Sequence, residues 1–206
     1  MVNEENKPKI QILTWSDGAV KIATAECYGI DPETPGLVKR VVKQEHLAVL
    51  RHGFASVRIS NISRVCGRQL LRKSHADYLE RSQRYFTITK PNFILPDALR
   101  ALEQGDGVDQ VLYAMVQEHL QHSFDLYEKL RERGILKEDA RYIFAQAIET
   151  SMVMSGNLQM WWDFFNLRID GRVQKETCRV AISIFKEFCK MDAIFKQHPK
   201  YEAIYG

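Results

Sequence analysis

Apolar residues recur along this chain with two periods, and the two periods mark different elements. Residues 9–15, KIQILTW, alternate closely enough for a β-strand, and so do Phe54 to Ile59. Between them, Ser16-Asp17-Gly18-Ala19 turns the chain into a short helix running through Cys27. The loop Asp31-Pro32-Glu33-Thr34-Pro35-Gly36 caps a helix over LVKRVVKQEHLAVLRH, residues 37–52, with Leu37, Val41, Val42 and Leu50 on one side. The same rules predict a helix from about Asn61 to Lys73 and a polar loop to Arg84. A short strand at residues 85–89 (YFTIT) and a proline-punctuated connector to Pro96 follow.

From Val108 to Arg133 the period is helical, carried by Val108, Leu112, Met115, Val116, Leu120, Phe124, Tyr127 and Leu130. Gly134 stops that helix, and Lys137 to Ala147 opens another. Asn157 to Leu167 reads as a helix dense in Met160, Trp161, Trp162, Phe164 and Phe165, whose bulk suits a core. Residues 171–190 make the last long helix, before a short helical or irregular end. Residues 1–8 read as a flexible tail and residues 9–206 as a single domain, with no internal repeat and no low-complexity tract. The class is α+β, a mixed sheet with several long helices.

Composition narrows the function more than the fold. The 206 residues are enough to bury a proper core, and 45% apolar with 27% charged residues is ordinary for a globular protein. A net charge of +3 is too small for general nucleic-acid binding. No apolar run approaches the roughly 20 residues that cross a bilayer, and the start, MVNEENKPK, lacks a signal core, so a cytoplasmic location is expected. Cys27, Cys66, Cys178 and Cys189 form no CxxC pair and read as reduced, mostly buried thiols.

Charge is concentrated locally instead. Arg64, Arg68, Arg72, Lys73, Arg81 and Arg84 gather around only two acids, Asp77 and Glu80. Arg64, Arg68 and Arg72 recur every fourth residue, so a helix would carry them as one stripe, where like charges repel by a few tenths of a kcal/mol per pair. Either the stripe is a solvated basic face or an anion sits on it, and phosphate suits the arginine fork. The polar cluster Glu80, Ser82, Gln83 and Arg84 alongside it favours a nucleotide.

These residues carry a resemblance. Gln69-x-x-Arg72 followed by Glu80-x-Ser82-x-Arg84-Tyr85 resembles the signature of flavin-dependent thymidylate synthases, written RHR-x7-S. Arg72 and Ser82 keep the outer positions and their spacing, while the triplet reads Arg72-Lys73-Ser74. HLAVLRH, residues 46–52, is similar to the family's flavin-contacting segment: His46 and His52 match, whereas Arg51 stands for a glutamate and Ala48 for a hydroxyl residue. Asn157-x8-Asn166-Leu167-Arg168 resembles the C-terminal motif, with Ala140-Arg141 ahead of it and Gln174-x-Glu176 behind.

The resemblance implies C5 methylation of dUMP to dTMP. FAD, NADPH and 5,10-methylenetetrahydrofolate would be the cofactors, in a homotetramer with shared active sites. It implies that Gln69, Arg72, Glu80, Ser82, Arg84 and Arg141 hold the deoxyuridylate and that Arg168 acts on the uracil edge. His46, Arg72 and Asn157 would contact FAD, and Arg141 and Arg168 would serve a neighbour's nucleotide. Leu79 for Asn and Gln159 for Arg are further departures on the flavin side. A relative acting on UMP or making a hydroxymethyl product, and a non-catalytic nucleotide-binding homologue, are the alternatives. Arg168 could instead pair with Asp170 or Glu176 on the following segment.

Two further patterns lead elsewhere. Glu118-His119-Leu120-Gln121-His122 has its histidines three apart rather than in the HExxH order, so these read as ordinary helix residues and no metal is expected. Cys66 has no histidine near it in sequence and reads as a structural thiol.

Overall fold

The computed structural model describes residues 7–206. The tail expected over residues 1–8 lies outside the described residues up to position 6, and at position 7 the Lys7 carbonyl accepts the Asn61 side-chain amide at 2.8 Å. Four strands form the sheet in the order β1-β2-β4-β3: β1 (Lys9–Ser16), β2 (Phe54–Ser63), β3 (Asp77–Glu80) and β4 (Glu149–Asn157). The α+β class with long helices holds, but the sheet is antiparallel rather than mixed.

One compact unit comprises residues 8–60, 70–79 and 152–206. In it β1 pairs antiparallel with β2 from Lys9↔Ser60 to Ser16↔Phe54, with a register shift between Ile12 and Thr14. The extra residue, Leu13, is left exposed, and the bulge re-phases the strand so that Trp15 turns inward. Trp15 meets Phe188 and Phe195 with ring centroids 4.9 and 5.9 Å apart. Helix α1 (Gly18–Tyr28) and helix α2 (Leu37–Lys43) follow.

The helix predicted over residues 37–52 breaks at Glu45, whose φ of 61° is left-handed, and resumes as a 3-10 helix over Leu47–His52. His46 and Glu45 amides close back on the Val41 and Val42 carbonyls, the usual way a helix end satisfies its last acceptors. Gly53 comes next at a close approach. A Cβ there would lie 2.5 Å from Leu158 Cδ1 and 2.8 Å from Val20 Cγ2, so only glycine lets helix α7 (Leu158–Arg168) seat on this turn.

The core of this unit is aromatic. Trp161, Phe164 and Phe165 of α7 are fully buried against Phe185 and Phe188 of helix α8 (Lys175–Met191) and against Phe195. Helix α8 presents Val180, Ala181, Ile184, Phe185 and Phe188 on one face, as its apolar spacing predicts. Each such side chain contributes roughly 1.5–3 kcal/mol on burial. Trp161 also donates its indole N–H to the Ala55 carbonyl at 3.2 Å.

The other unit comprises residue 7 with residues 61–69 and 80–151 among those described. Its basic helix α3 spans only Arg64–Leu70, shorter than the predicted 61–73, because residues 61–63 complete β2. The strand expected at residues 85–89 does not form. Tyr85 and Phe86 are exposed, the Phe86 amide turns back to the Ser82 carbonyl, and Lys137 Nζ holds the Tyr85 carbonyl at 3.0 Å. Short helix α4 (Asp97–Ala101) leads to helix α5 (Gly107–Glu132), capped by the Asp106 carboxylate on the Val108 and Asp109 amides. The helix predicted over residues 137–147 shrinks to α6 (Lys137–Ala140) and a 3-10 turn, since residues from Glu149 join the sheet as β4. Phe124, Tyr127 and Ala140 form the unit's small core with Ile88, Leu130, Ile143 and Phe144.

Candidate functional site

The residues singled out from sequence fall into two groups, one in each unit. In the unit built around α5, Gln69 lies half-buried on α3, and Glu80, Ser82, Arg84 and Arg141 surround the loop after β3. Glu80 ends β3 and accepts the Thr150 hydroxyl at 2.9 Å, with Arg64 Nη1 3.5 Å away. Ser82 Oγ accepts the Arg84 amide at 3.2 Å, a serine turn that sets the loop. The Arg84 guanidinium donates from Nε to Glu138 Oε2 at 2.6 Å, and Arg141 Nε donates to the backbone carbonyl of that same Glu138 at 2.9 Å.

Glu138 therefore positions both arginines, one by its side chain and one by its main chain. Sequence reading passed over it, although it stands three residues before Arg141 on the face that helical spacing would align. Beside this arrangement an open cleft of about 500 Å³ is lined by Arg64, Arg68, Gln83, Arg141, Tyr142 and Gln146. Its size is that of a small-molecule site, and its wall is polar and cationic.

Arg72, expected from sequence to continue the helical stripe of Arg64 and Arg68, is not on the helix. It is exposed on the turn after α3 and belongs to the aromatic-core unit. The stripe is thus Arg64 and Arg68 only. The helix ends at Leu70, which is fully buried and whose carbonyl accepts the Lys73 amide at 3.2 Å, and β3 begins seven residues later.

In the aromatic-core unit, His46 stands at the break between α2 and the 3-10 helix, and its Nδ1 lies 2.7 Å from the Tyr28 hydroxyl. Asn157 is the N-cap of α7, its Oδ1 accepting the Met160 amide at 2.8 Å. Arg168 is the last residue of α7, near enough to Tyr78 to favour the phenolate of that residue. Burial has the larger effect and pushes the Tyr78 hydroxyl up, while its proton is donated to the Lys73 carbonyl at 2.8 Å. Asp170, one possible partner for Arg168, is instead taken by Arg172 at 2.9 Å. That bond holds the Asp170 carboxyl down to about 2.

A second cleft, of about 410 Å³, is lined by Arg51, Lys73, His75, Asn157, Gln159, Met160 and Asp163. Arg51 Nε donates to Gln159 Oε1 at 2.6 Å, joining two positions that depart from the flavin-dependent pattern. The cleft carries the cationic Arg51 and Lys73 and the amides of Asn157 and Gln159, together with the Asp163 carboxylate. Ser74, exposed, offers no cationic fork there, and Leu79 is exposed as well.

Comparison with known proteins specifies the family. The family profile described as thymidylate synthase complementing protein matches residues 10–192, and the chain belongs to that family. It is 36% identical over 200 residues to the flavin-dependent thymidylate synthase of Pyrococcus horikoshii, covering 92% of this chain and 78% of that protein. With the enzyme of the same name from Thermococcus kodakarensis the identity is 32% over 205 residues, covering 94% and 79%. The one from Pyrococcus furiosus is 32% identical over 159 residues, which is 75% of this chain but 62% of the length of that relative. Among the described residues, no helix is long and apolar enough to cross a membrane.

Proposed function

We propose that this chain is an enzyme of thymidylate synthesis that methylates C5 of dUMP to give dTMP. The observation that carries the reading is the joint placement of Arg84 and Arg141 on Glu138, beside a cationic cleft in which Arg141 is one wall. Ser82 and Arg84 hold the nucleotide's phosphate side, Gln69 and Glu80 its neighbouring polar groups, and Arg141 its sugar-phosphate side. Ser82 acts as a hydrogen-bonding ligand, since among the described residues no carboxylate or imidazole is bonded to its hydroxyl to make it a nucleophile.

Reduced flavin supplies hydride when bound, with NADPH as its reductant, and methylenetetrahydrofolate supplies the carbon. His46, Arg72 and Asn157 are assigned to the flavin side, and Arg51 and Lys73 add positive charge to the cleft that Asn157 lines. Arg168 is assigned to the uracil carbonyl edge, where a planar guanidinium stabilises negative charge as it develops on the ring. In the proposed homotetramer active sites are shared, and Arg168 serves the nucleotide of a neighbouring copy.

Calorimetry with dUMP tests the reading. Charge-assisted bonds to phosphate are worth roughly 1.5–3 kcal/mol each, so Arg84→Ala should weaken dUMP binding at least ~10-fold. Unchanged affinity in that variant removes the assignment. Product analysis with dUMP against UMP then fixes which pyrimidine nucleotide is methylated.

A further inference from the structure

Helix α5 carries more apolar residues than its own unit covers. Leu120, Phe124 and Tyr127 are buried, as the helical period predicts. Val108, Leu112 and Met115 belong to the same period, yet they are 69, 45 and 59% exposed. They open a second series, Val108, Leu112, Met115, His119, His122 and Leu126, in which every member is exposed. Its steps alternate between four residues and three, which is the spacing of a coiled-coil seam. Val111, also exposed, widens the apolar end of that seam. Neighbouring large apolar side chains left in water along one end of a long helix mark a contact surface.

The series itself selects what covers it. Its steps read the same from either end, with Gln117 at the midpoint. Two copies of α5 laid antiparallel about that midpoint meet layer for layer: Val108 against Leu126, Leu112 against His122, and Met115 against His119. Each histidine then faces an apolar side chain, whereas parallel copies would set His119 on His119 and His122 on His122. Antiparallel copies also oppose their helix dipoles. The next position of the seam, Lys129, comes level with Gly105 and Asp106 of the second copy, so an ammonium meets an acidic helix start. We infer that the exposed face of α5 is a docking surface for α5 of a second copy of this chain, antiparallel about Gln117.

This rests on the homotetramer proposed above, one of whose contacts it specifies, and the experiment separates the two. Sedimentation velocity on the full chain reads the assembly state, and cross-linking reads the register. A tetramer built on two-fold axes is held by more than one kind of contact. Leu112→Glu with Met115→Glu puts charges into this seam alone, so it should leave dimers where the wild type is a tetramer. For the register, Val108→Cys and Leu126→Cys are each made in a Cys27→Ser background, which removes the exposed native thiol. Those two positions lie about 27 Å apart on one helix. A short bismaleimide should therefore join the two variants to each other when they are co-expressed, and should join neither to itself. The Cys27→Ser protein alone gives the background.

If the wild type and the double glutamate variant are both tetramers and no mixed cross-link forms, the inference is overturned while the homotetramer survives. If the wild type is a dimer that the double variant splits, and the mixed cross-link forms, the inference stands and the tetramer fails. Cross-linking of Val108→Cys to itself would mean parallel copies and overturns the inference. A monomeric wild type overturns both, whichever other protein then covers the seam. All the substituted side chains face solvent, so matching melting temperatures confirm that the variants are folded.

Discussion

Acid should weaken this protein through one histidine. His198 is 2% exposed, with its ring 4.5 Å from Trp162 and 5.3 Å from Phe185. Its Nε2 lies 3.0 Å from the Trp162 carbonyl, which can only accept, and its Nδ1 lies 3.1 Å from the Lys200 amide, which can only donate. Both bonds are satisfied by one neutral tautomer. Protonation would place a second N–H against the Lys200 amide and a charge among aromatic rings. Burial accordingly lowers the imidazole from 6.5 to about 4, against a smaller opposing effect of the Trp162 bond. Between those values the unfolded chain holds a proton that the folded chain rejects, so stability falls as pH drops from 6.5 towards 4. At about 1.4 kcal/mol per pH unit, the loss totals roughly 3 kcal/mol, a large share of a typical 5–15 kcal/mol. Urea denaturation of the wild type and His198→Gln at steps from pH 7.5 to 4 measures it. Glutamine keeps a donor for Trp162 but cannot titrate. The variant should be less stable at pH 7.5 and approach the wild type near pH 4. Parallel curves across that range would refute the reasoning.

Asn157→Ala should cost about 1 kcal/mol in urea denaturation by removing the cap on the Met160 amide, and Asn157→Ser should restore most of it. Burial raises the Cys189 thiol to about 11 while Cys27 is exposed, so a thiol reagent at pH 8 should modify Cys27 quickly and Cys189 only on unfolding, as peptide mapping would show. Glu138→Gln should release Arg84 from its carboxylate and tighten dUMP binding a few-fold, an exposed ion pair being worth about 0–1 kcal/mol; weaker binding would mean that Glu138 acts mainly by orienting Arg84. Arg168→Lys keeps the charge and loses the fork, so turnover should fall ~100-fold or more with a smaller change in dUMP affinity. Normal turnover with a lowered melting temperature would give Arg168 a purely structural role.

What the sequence disclosed depended on whether an element's reason for existing was local. Helices α5, α7 and α8 carry their apolar faces in their own spacing, and each lies within a residue or a few of its expected bounds. Strand β4 escaped because ETSMVMSGN has little alternation and few strand-favouring residues. It is a strand because β2 and β3 both bond to it, which no local rule can see. Strand β3, DYLE, lay inside a stretch too polar to suggest pairing. The break at Glu45 was equally hidden, since the signal for a helix end is glycine or asparagine and a glutamate takes the left-handed position here. Among site residues, motif spacing located the arginines but not what holds them. Glu138 and Tyr28 act through contacts made by the fold, at 2.6 and 2.7 Å.

Helix α7 joins stability and proposed chemistry in one element. Its middle supplies Trp161, Phe164 and Phe165 to the core, so the helix is fixed by the best-packed part of its unit. Its ends supply Asn157 and Arg168, and both ends inherit that rigidity. Eleven residues at 1.5 Å each separate those ends by about 16 Å, too far for one ring system to touch both. Under the proposed function, the two ends therefore serve different ligands: Asn157 the flavin side and Arg168 a uracil edge. A shift of α7 along its axis would move both assignments together. A core substitution such as Phe164→Ala should therefore disturb flavin retention and nucleotide turnover in the same variant, whereas a change at either end should disturb one alone.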